Sequence, residues 1–360
     1  MLDKEKLLSK FYLTDKFYSR KWKPFSKIMI RGDRAEWVLT SIANELKFTL
    51  DKINIDVIND HYYYNIKNQC VFYTSKYEVL LNWKKPNHRI AFPYFHGLPE
   101  NSPTFKLMFK NINKHHDEIN RIQVSHSIME KRILETGIEK DKIHRIPISI
   151  DNSLFRSVTN DEKIKLRHNH KIPINAIVIG SFQKDGDGWG EGFKPKLIKG
   201  PDIFIDVLRK LKKHIPNIFV LLSGPSRGFM KANLKKNNIP YLHLNLENYK
   251  DIGSLYNCLD LYIVTSREEG GPRAILESMA SGIPILSTKV GQSIDLIQHN
   301  YNGWLSEVSD VDTLVELSIH ILDNDNSITS ILSNAKETAR INSYDSQLHL
   351  WKKFMGGFID

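Results

Sequence analysis

Ser266-Arg-Glu-Glu-Gly-Gly-Pro-Arg-Ala-Ile-Leu-Glu-Ser-Met-Ala-Ser-Gly-Ile-Pro-Ile-Leu286 reads as a glycine turn, a helix and the start of a buried strand. Asp260-Leu-Tyr-Ile-Val-Thr-Ser266 is the strand that leads into it, and Ile283-Pro-Ile-Leu-Ser287 is the strand that follows. Pro272 suits the first helical position, and Ile275, Leu276, Met279 and Ala280 give the helix its apolar face. A strand, helix and strand in succession predict a parallel sheet with helices packed on its faces. Glu269 and Glu277 stand on either side of the turn, with seven residues between them. A glycine turn at a helix start offers backbone N–H groups and a positive dipole end to an anion. The carboxylates are acceptors suited to hydroxyl groups. A phosphate flanked by hydroxyls is the outline of a sugar nucleotide. On spacing alone the pair also fits a capping carboxylate and a surface glutamate, but Glu277 has apolar neighbours on its helix and needs a partner.

Working outward, the same alternation recurs. Ala176-Ile-Val-Ile-Gly180 reads as a strand with a glycine exit, Pro201 to Ile215 as a helix, and Ile218-Phe-Val-Leu-Leu-Ser-Gly224 as a strand ending in glycine. Upstream, strands are predicted at Ser26-Lys-Ile-Met-Ile-Arg-Gly-Asp33, Cys70–Thr74, Arg89–Phe92, Ile122–Ser125 and His144–Ile148, with a helix over Ala35–Leu46. Asp151 to Lys171 is polar and charged with little apolar periodicity, which places the domain boundary there. The expected organisation is an N-terminal Rossmann-like domain over 1–155 and a second one over 172–342. The last segment, 343–360, carries a helix with Leu348, Leu350, Trp351 and Phe354 that crosses back to the first. In such doubly wound pairs ligands sit at the carboxyl ends of the strands.

A chain of 360 residues suits two domains of ordinary size. No run of 18 apolar residues occurs, and Met1-Leu-Asp-Lys-Glu-Lys6 has no apolar core behind its charges, so neither a membrane span nor a signal peptide is expected. Cys70 and Cys258 are read as reduced thiols of a cytoplasmic protein. The net charge is +10. Much of the excess lies in Lys4, Lys6, Lys10, Lys16, Arg20, Lys21, Lys23 and Lys27, interleaved with Phe11, Tyr12, Phe17, Tyr18, Trp22 and Phe25. That mixture fits contact with an anionic membrane surface, or a solvated basic face with its aromatics packed on the domain. Nucleic acid is the alternative for such charge, and the lack of a clustered recognition motif argues against it.

At this point the chain resembles a known group. Ser266–Leu286 resembles the E-x7-E region of the retaining glycosyltransferases of family 4, the nucleotide-sugar-dependent group with the GT-B architecture. Further segments follow in the family's order: Gln123–Gly137, Lys142-Ile-His-Arg-Ile-Pro-Ile-Ser-Ile-Asp151 with Phe155, Lys199-Gly200 with the helix after it, Leu221-Leu-Ser-Gly-Pro225, Val290–Ile297 and Asn302-Gly-Trp-Leu305. The resemblance covers roughly residues 120 to 310. It implies a GT-B fold, two Rossmann-like domains facing across a cleft. It implies transfer of a hexose-type sugar from a nucleoside diphosphate donor to a hydroxyl acceptor, with retention, in bacterial polysaccharide or glycolipid synthesis. Acceptors would be a glycan or a lipid-linked hydroxyl, the location cytoplasmic or at the inner membrane face.

The residue roles implied are these. Glu277 would accept from the ribose hydroxyls and Glu269 would face the donor sugar. Gly270, Gly271, Pro272 and Arg273 would hold the diphosphate, with Gly180, Lys184 and Gly224 also on the donor side, and Lys199 would neutralise the leaving phosphate. His96, in Phe92-Pro-Tyr-Phe-His-Gly97, would position or polarise the acceptor hydroxyl, and Gly32 and Asp33 would form the acceptor loop. No metal or other cofactor is implied. The family has an arginine just after the glycine of the first strand of the second domain, and here Gly180 is followed by Ser181 and Phe182. Lys184 or Lys196 would replace its charge. The long loop Gln183–Ile198, with Gly186, Gly188, Gly190 and Gly192, reads as a flexible cover over the donor phosphates. Its Asp185 and Asp187 lack the later ligands of a calcium loop. The rival readings are a GT-B sugar-nucleotide epimerase and a catalytically degenerate sugar-nucleotide-binding protein.

Overall fold

The structure, a computed structural model, describes residues 24–32, 38–59, 68–188, 190–323 and 328–360. The basic aromatic segment before residue 24 and Asp33 lie outside the described residues. The chain forms two compact units, Met1–Ile146 with Gln347–Asp360, and Pro147–Ser346.

In the first unit β1 (Ile28–Arg31), β2 (Val57–Asn59), β3 (Cys70–Tyr73), β4 (Arg89–Pro93), β5 (Arg121–Val124) and β6 (Ile143–Arg145) alternate with α1 (Val38–Lys52), α2 (Lys76–Leu81), α3 (Pro103–His115) and α4 (Ser127–Leu134). The described strands form a parallel sheet in the order β2-β1-β3-β4-β5-β6. Cys70, Val71 and Phe72 are all fully buried, as a strand covered on both faces requires. Val71, Phe92 and Val124 pack with Met108 and Ile112 of α3 and Met129 and Ile133 of α4. Ile28, Ile30 and Phe72 pack on the other face. The strand order reverses between β1 and β3, so the switch point lies at Arg31-Gly32 and Tyr73-Thr74.

The second unit repeats the plan. Its helix α5 (Asn160–Asn169) precedes β7 (Ile177–Phe182), α6 (Pro201–His214), β8 (Ile218–Ser223), α7 (Gly228–Lys236), β9 (Tyr241–Leu244), α8 (Ile252–Tyr256), β10 (Leu261–Val264), α9 (Ala274–Ser281), β11 (Ile285–Thr288), α10 (Ser293–Leu296), β12 (Trp304–Ser306), α11 (Val311–Asp323) and α12 (Thr329–Ile341). The order β12-β11-β10-β7-β8-β9, all parallel, is the Rossmann order, with its switch point between β7 and β10. The last helix, α13 (Leu348–Met355), belongs to the first unit, where Trp351 and Phe354 join the Phe72 side of the sheet. Beyond it the Cys70 thiol donates to the Phe358 carbonyl at 2.8 Å, and Arg89 pairs with Asp360.

Two expectations change. The units divide at Ile146 and Pro147, ahead of the boundary expected in 151–171. That polar stretch contains α5, which the second unit holds by charge and capping. Thr159 and Glu162 form a reciprocal capping box. Buried Arg167 donates to Asp260 at 2.7 Å and to the carbonyls of Cys258 and Ala176. Ile150, Phe155 and Ile172 lie in the same core as Tyr256. Secondly, Gly180 is not a strand exit. β7 runs on to Phe182, and a Cβ on Gly180 would lie 2.3 Å from Leu259 Cδ1 and 3.1 Å from Tyr262 Cδ2. Gly180 is the hollow into which Leu259 packs, which accounts for a glycine inside a strand.

Gly180→Ala is expected to cost about 1–3 kcal/mol through overpacking. The cost should shrink in a Leu259→Ala background, where the methyl has room. Denaturant melts of the two single variants and the double variant measure this coupling; strictly additive losses would contradict it.

Candidate active site

The strand ends at the second unit's switch point carry the predicted cluster. Gly200 is left-handed (φ 64°), and a Cβ there would fall 1.9 Å from the Thr265 carbonyl oxygen, so only glycine fits. This close approach brings the turn 197–200 against the end of β10. The Arg267 and Glu268 amides donate to the Ile198 carbonyl, the Thr265 hydroxyl donates to the Gly200 carbonyl at 2.8 Å, and Arg267 is bidentate on Asp202 at 2.8 and 2.6 Å. The two segments are thereby fixed side by side. The consequence is that Lys199 Nζ lies 2.6 Å from each oxygen of Glu269. The Ser266 hydroxyl donates to Glu269 Oε1 at 2.9 Å. The Glu269 side chain is 9% exposed and that of Lys199 23%.

From Glu269 the chain passes through Gly270 and Gly271 to Pro272, Arg273 and the start of α9. This turn is packed so closely that glycine is needed on both sides of it. A Cβ on Gly271 would meet the Gln292 side chain at 2.6 Å, and one on Gly291 would meet the Glu269 carbonyl oxygen at 2.5 Å. Gln292, fully buried, accepts from the Ile148 N–H and donates to the Ile148 carbonyl. One amide side chain thus pins the segment 147–150 beside the glycine turn. The helix α9 buries Ile275, Leu276 and Met279, and Gly282 ends it in the left-handed region.

Glu277 lies on this helix and is 6% exposed. Its need for partners is met by two tyrosines. Tyr256 donates to Oε2 at 2.7 Å, and Tyr249 donates to Oε1. Burial first, and then the Glu277 carboxylate, push both phenols above the usual tyrosine range, which keeps them hydrogen-bond donors. The Arg273 guanidinium lies 5.9 Å from the centre of the Tyr249 ring.

Three lysines gather near the Glu269 side of the turn. Burial, and then the ammonium groups of Lys199 and Lys184, hold Lys196 below the usual lysine range. Gly224 closes β8 with φ 95° and approaches the backbone of Gln183, and His243 Nε2 meets its carbonyl at 2.8 Å. The loop Gln183–Ile198 is not a loose cover among its described residues. The Lys196 amide donates to Asp185 and the Asp187 amide to Lys194, while the Gly228 and Phe229 amides donate to Glu191 and Gly192. The Ser226 hydroxyl reaches the Gly190 carbonyl at 2.9 Å. Gly186 and Gly192 both lie against the Ser226 carbonyl, too close for any Cβ. These two glycines serve packing against the start of α7, whereas a Cβ on Gly188 or Gly190 would meet open space.

Sequence reasoning missed what lies beneath this loop. Arg227, fully buried, donates to the Ser181 and Ser223 carbonyls at 2.7 Å each, with Nε 3.0 Å from Asp185. Its guanidinium ties together the ends of β7 and β8, beside the position where the resemblance led one to expect an arginine. Burial pushes the Asp185 carboxyl up to about 6, against the pull of Arg227. Only the Gly-Pro-Ser-Arg run after β8 hinted at it. Ser266, Gln292 and the two tyrosines were likewise not singled out as site residues.

In the first unit, Gly32 follows β1 at the switch point, and the Arg31 carbonyl accepts from the Thr74 N–H at 2.9 Å. His96 follows β4 and meets the edge of Phe105 at 6.1 Å. Its carbonyl accepts from buried Lys76, whose ammonium lies 3.8 Å from the centre of the Tyr94 ring. Tyr94 also donates to the Gly97 carbonyl at 2.9 Å, so the His96 loop is fixed from two sides. Among the described residues, no helix is long and apolar enough to cross a membrane.

Residues 194–338 match the family described as glycosyl transferases group 1. The UDP-Gal:alpha-D-GlcNAc-diphosphoundecaprenol alpha-1,3-galactosyltransferase of Escherichia coli is 23% identical over 218 residues, covering 59% of this chain and 53% of that protein. The N-acetyl-alpha-D-glucosaminyl L-malate synthase of Bacillus anthracis is 30% identical over 144 residues, 39% of this chain and 37% of its own length. The chain therefore spans about half or less of these relatives. Among solved structures, Anabaena HepE in complex with UDP and glucose superposes with a TM-score of 0.71 at 14% identity, over 92% of this chain and 99% of that one. At that identity the likeness is one of fold.

Arg227→Met should lower stability by about 3–5 kcal/mol near neutral pH, because it strands the Asp185 carboxylate in the interior. A carboxyl whose folded pKa lies above its unfolded value gains folding stability as pH falls through the folded value. The deficit of the variant should therefore narrow between pH 8 and pH 5. Thermal melts across that range check it; a deficit constant with pH would contradict the placement of the pair.

Proposed function

Because residues 194–338 match the glycosyl transferases group 1 and the fold is GT-B, we propose that the chain transfers a sugar from a nucleoside diphosphate donor to a hydroxyl acceptor, with retention at the anomeric carbon. The observation that carries this reading is the Lys199–Glu269 pair, 2.6 Å apart beside the glycine start of α9. It sets a cation and a hydroxyl acceptor together at one side of an anion-binding turn.

The donor diphosphate lies on Gly270, Gly271 and the helix start after Pro272, with Arg273 alongside. Its charge relieves the mutual repulsion of Lys184, Lys196 and Lys199, which supply what the missing arginine would have supplied. Glu269, released by Lys199, accepts from the sugar hydroxyls and stabilises positive charge developing at the anomeric carbon. Glu277 accepts from the ribose hydroxyls. The bond from the anomeric carbon to the diphosphate oxygen breaks, and its electron pair leaves on the phosphate opposite Lys199. The acceptor oxygen bonds to the same face, and its proton passes to the departing phosphate. The first unit presents the acceptor, with His96 and Gly32 as its candidate contacts. No metal is needed in this reading, since the lysines and the helix start carry the positive charge. The names of the relatives are in keeping with polysaccharide or glycolipid synthesis and a glycan or lipid-linked acceptor, and the basic charge of the N-terminal segment suits contact with an anionic membrane surface.

A thermal-shift screen of nucleotide sugars should find one donor that stabilises the protein by about 2.7 kcal/mol at 100 times its dissociation constant. With that donor, Lys199→Met and Glu269→Gln should each lower kcat by about 10²–10³-fold. Nucleoside diphosphate should be released in step with transfer, and the product anomer, read by NMR, should match that of the donor. Isomerised donor with no acceptor consumed would point to an epimerase instead. Donor binding without turnover in any acceptor mixture would point to a binding protein.

A further inference from the structure

The two tyrosines on Glu277 differ in a way that gives them different parts to play. Tyr256 is fully buried, edge-on to Phe182 at 4.9 Å and to Phe155 at 6.1 Å, and 5.3 Å from the Tyr262 ring. Moving it would open the core. Tyr249 is 45% exposed and stands on the short 3-10 turn Tyr249–Asp251, within an exposed run from Glu247 to Asp251. The turn is held locally by Asn248, whose side chain accepts from the Lys250 N–H at 3.0 Å. The hydroxyl end of Tyr249 is committed inward, to Glu277 Oε1, and the Arg273 guanidinium lies beside both that hydroxyl and the ring. Tyr249 is therefore the exposed lid of a carboxylate that is itself 6% exposed.

We propose that Tyr249 is a gate over Glu277 that tempers its preference for ribose: its hydroxyl occupies the acceptor site that the donor ribose needs, and a ribose hydroxyl enters by taking that hydrogen bond from it. The inference rests on the reading that Glu277 holds the ribose. The exchange replaces one O–H donor on the carboxylate by another, so no buried charge is left unpaired at the end of it. A nucleotide lacking ribose hydroxyls has nothing to offer in exchange. Tyr249 then stays on Glu277, and the site bears no unpaired carboxylate. The gate thus lowers the affinity for the ribose-bearing ligand and leaves the deoxy ligand untouched, which narrows discrimination between the two.

Titration calorimetry of the wild type and Tyr249→Phe with UDP, GDP and ADP, each beside its 2′,3′-dideoxy counterpart, tests this. The phenyl ring keeps the exposed surface and loses only the hydroxyl, and a melt confirms that the variant is folded. For the nucleotide that binds, Tyr249→Phe should tighten the ribose form about tenfold, equivalent to about 1.4 kcal/mol, and change the dideoxy form by less than about twofold. Equal changes in both forms would make Tyr249 a structural residue only. A weaker ribose form would make it a direct contact of the nucleotide. Either result overturns the gate while leaving the donor site in place. If none of the three nucleotides binds the wild type, the reading of Glu277 as a ribose acceptor falls, and the gate falls with it.

Discussion

An ammonium and a carboxylate brought together in a partly buried place lose hydration that their attraction repays only when the geometry is held. Lys199 and Glu269 meet that condition because of the backbone around them rather than because of each other. Gly200 can lie against the Thr265 carbonyl only without a side chain. Arg267 then clamps Asp202 on α6, and the Ile198 carbonyl takes two amides from the far side of the pair. The turn after β7 and the turn after β10 thus become one rigid piece at the switch point. The Gly-Gly-Pro turn, the helix start and Glu277 follow from it in sequence, and Gln292 anchors the same turn to Ile148 from behind.

The site is built on rigid elements with one soft edge. α9 is buried along nearly its whole length, so Glu277 is held by a helix that cannot shift without disturbing the core. Tyr256 backs it from within that core. The loop Gln183–Ile198 is knitted to α7 and underpinned by the Arg227–Asp185 pair. Against this background the exposed turn 247–251 stands out as the place where local opening costs few apolar contacts.

Features set by local rules were legible in the sequence, and features set by distant partners were not. The run Ser266–Leu286 announced strand, turn, helix and strand because the glycines, Pro272 and the apolar spacing each act within a few residues. Lys199-Gly200 was legible for the same reason. That Glu277 needs a partner followed from its apolar neighbours, but the partners stand 28 and 21 residues upstream, and no spacing rule names them. Arg227 was hidden because its partners, Ser181, Asp185 and Ser223, come together only when β7 and β8 pair. Glycines in the 183–198 loop suggest motion by composition, whereas Gly186 and Gly192 are there because the Ser226 carbonyl lies where a Cβ would be. The polar helix α5 has no apolar stripe to betray it, since ion pairs and a capping box hold it. The short strands β2, β9 and β12 escaped notice, each being three or four residues long.

The central claim is that the Lys199–Glu269 pair opens onto a nucleotide sugar, the lysine going to the phosphates and the glutamate to the sugar. A crystal structure with the nucleotide sugar that most stabilises the protein tests it most directly. The diphosphate is expected on the Gly270–Ala274 backbone, with Lys199 Nζ within hydrogen-bonding distance of a phosphate oxygen and Glu269 turned to the sugar hydroxyls. A nucleotide bound elsewhere, or one bound there with Lys199 still closed on Glu269, would contradict it.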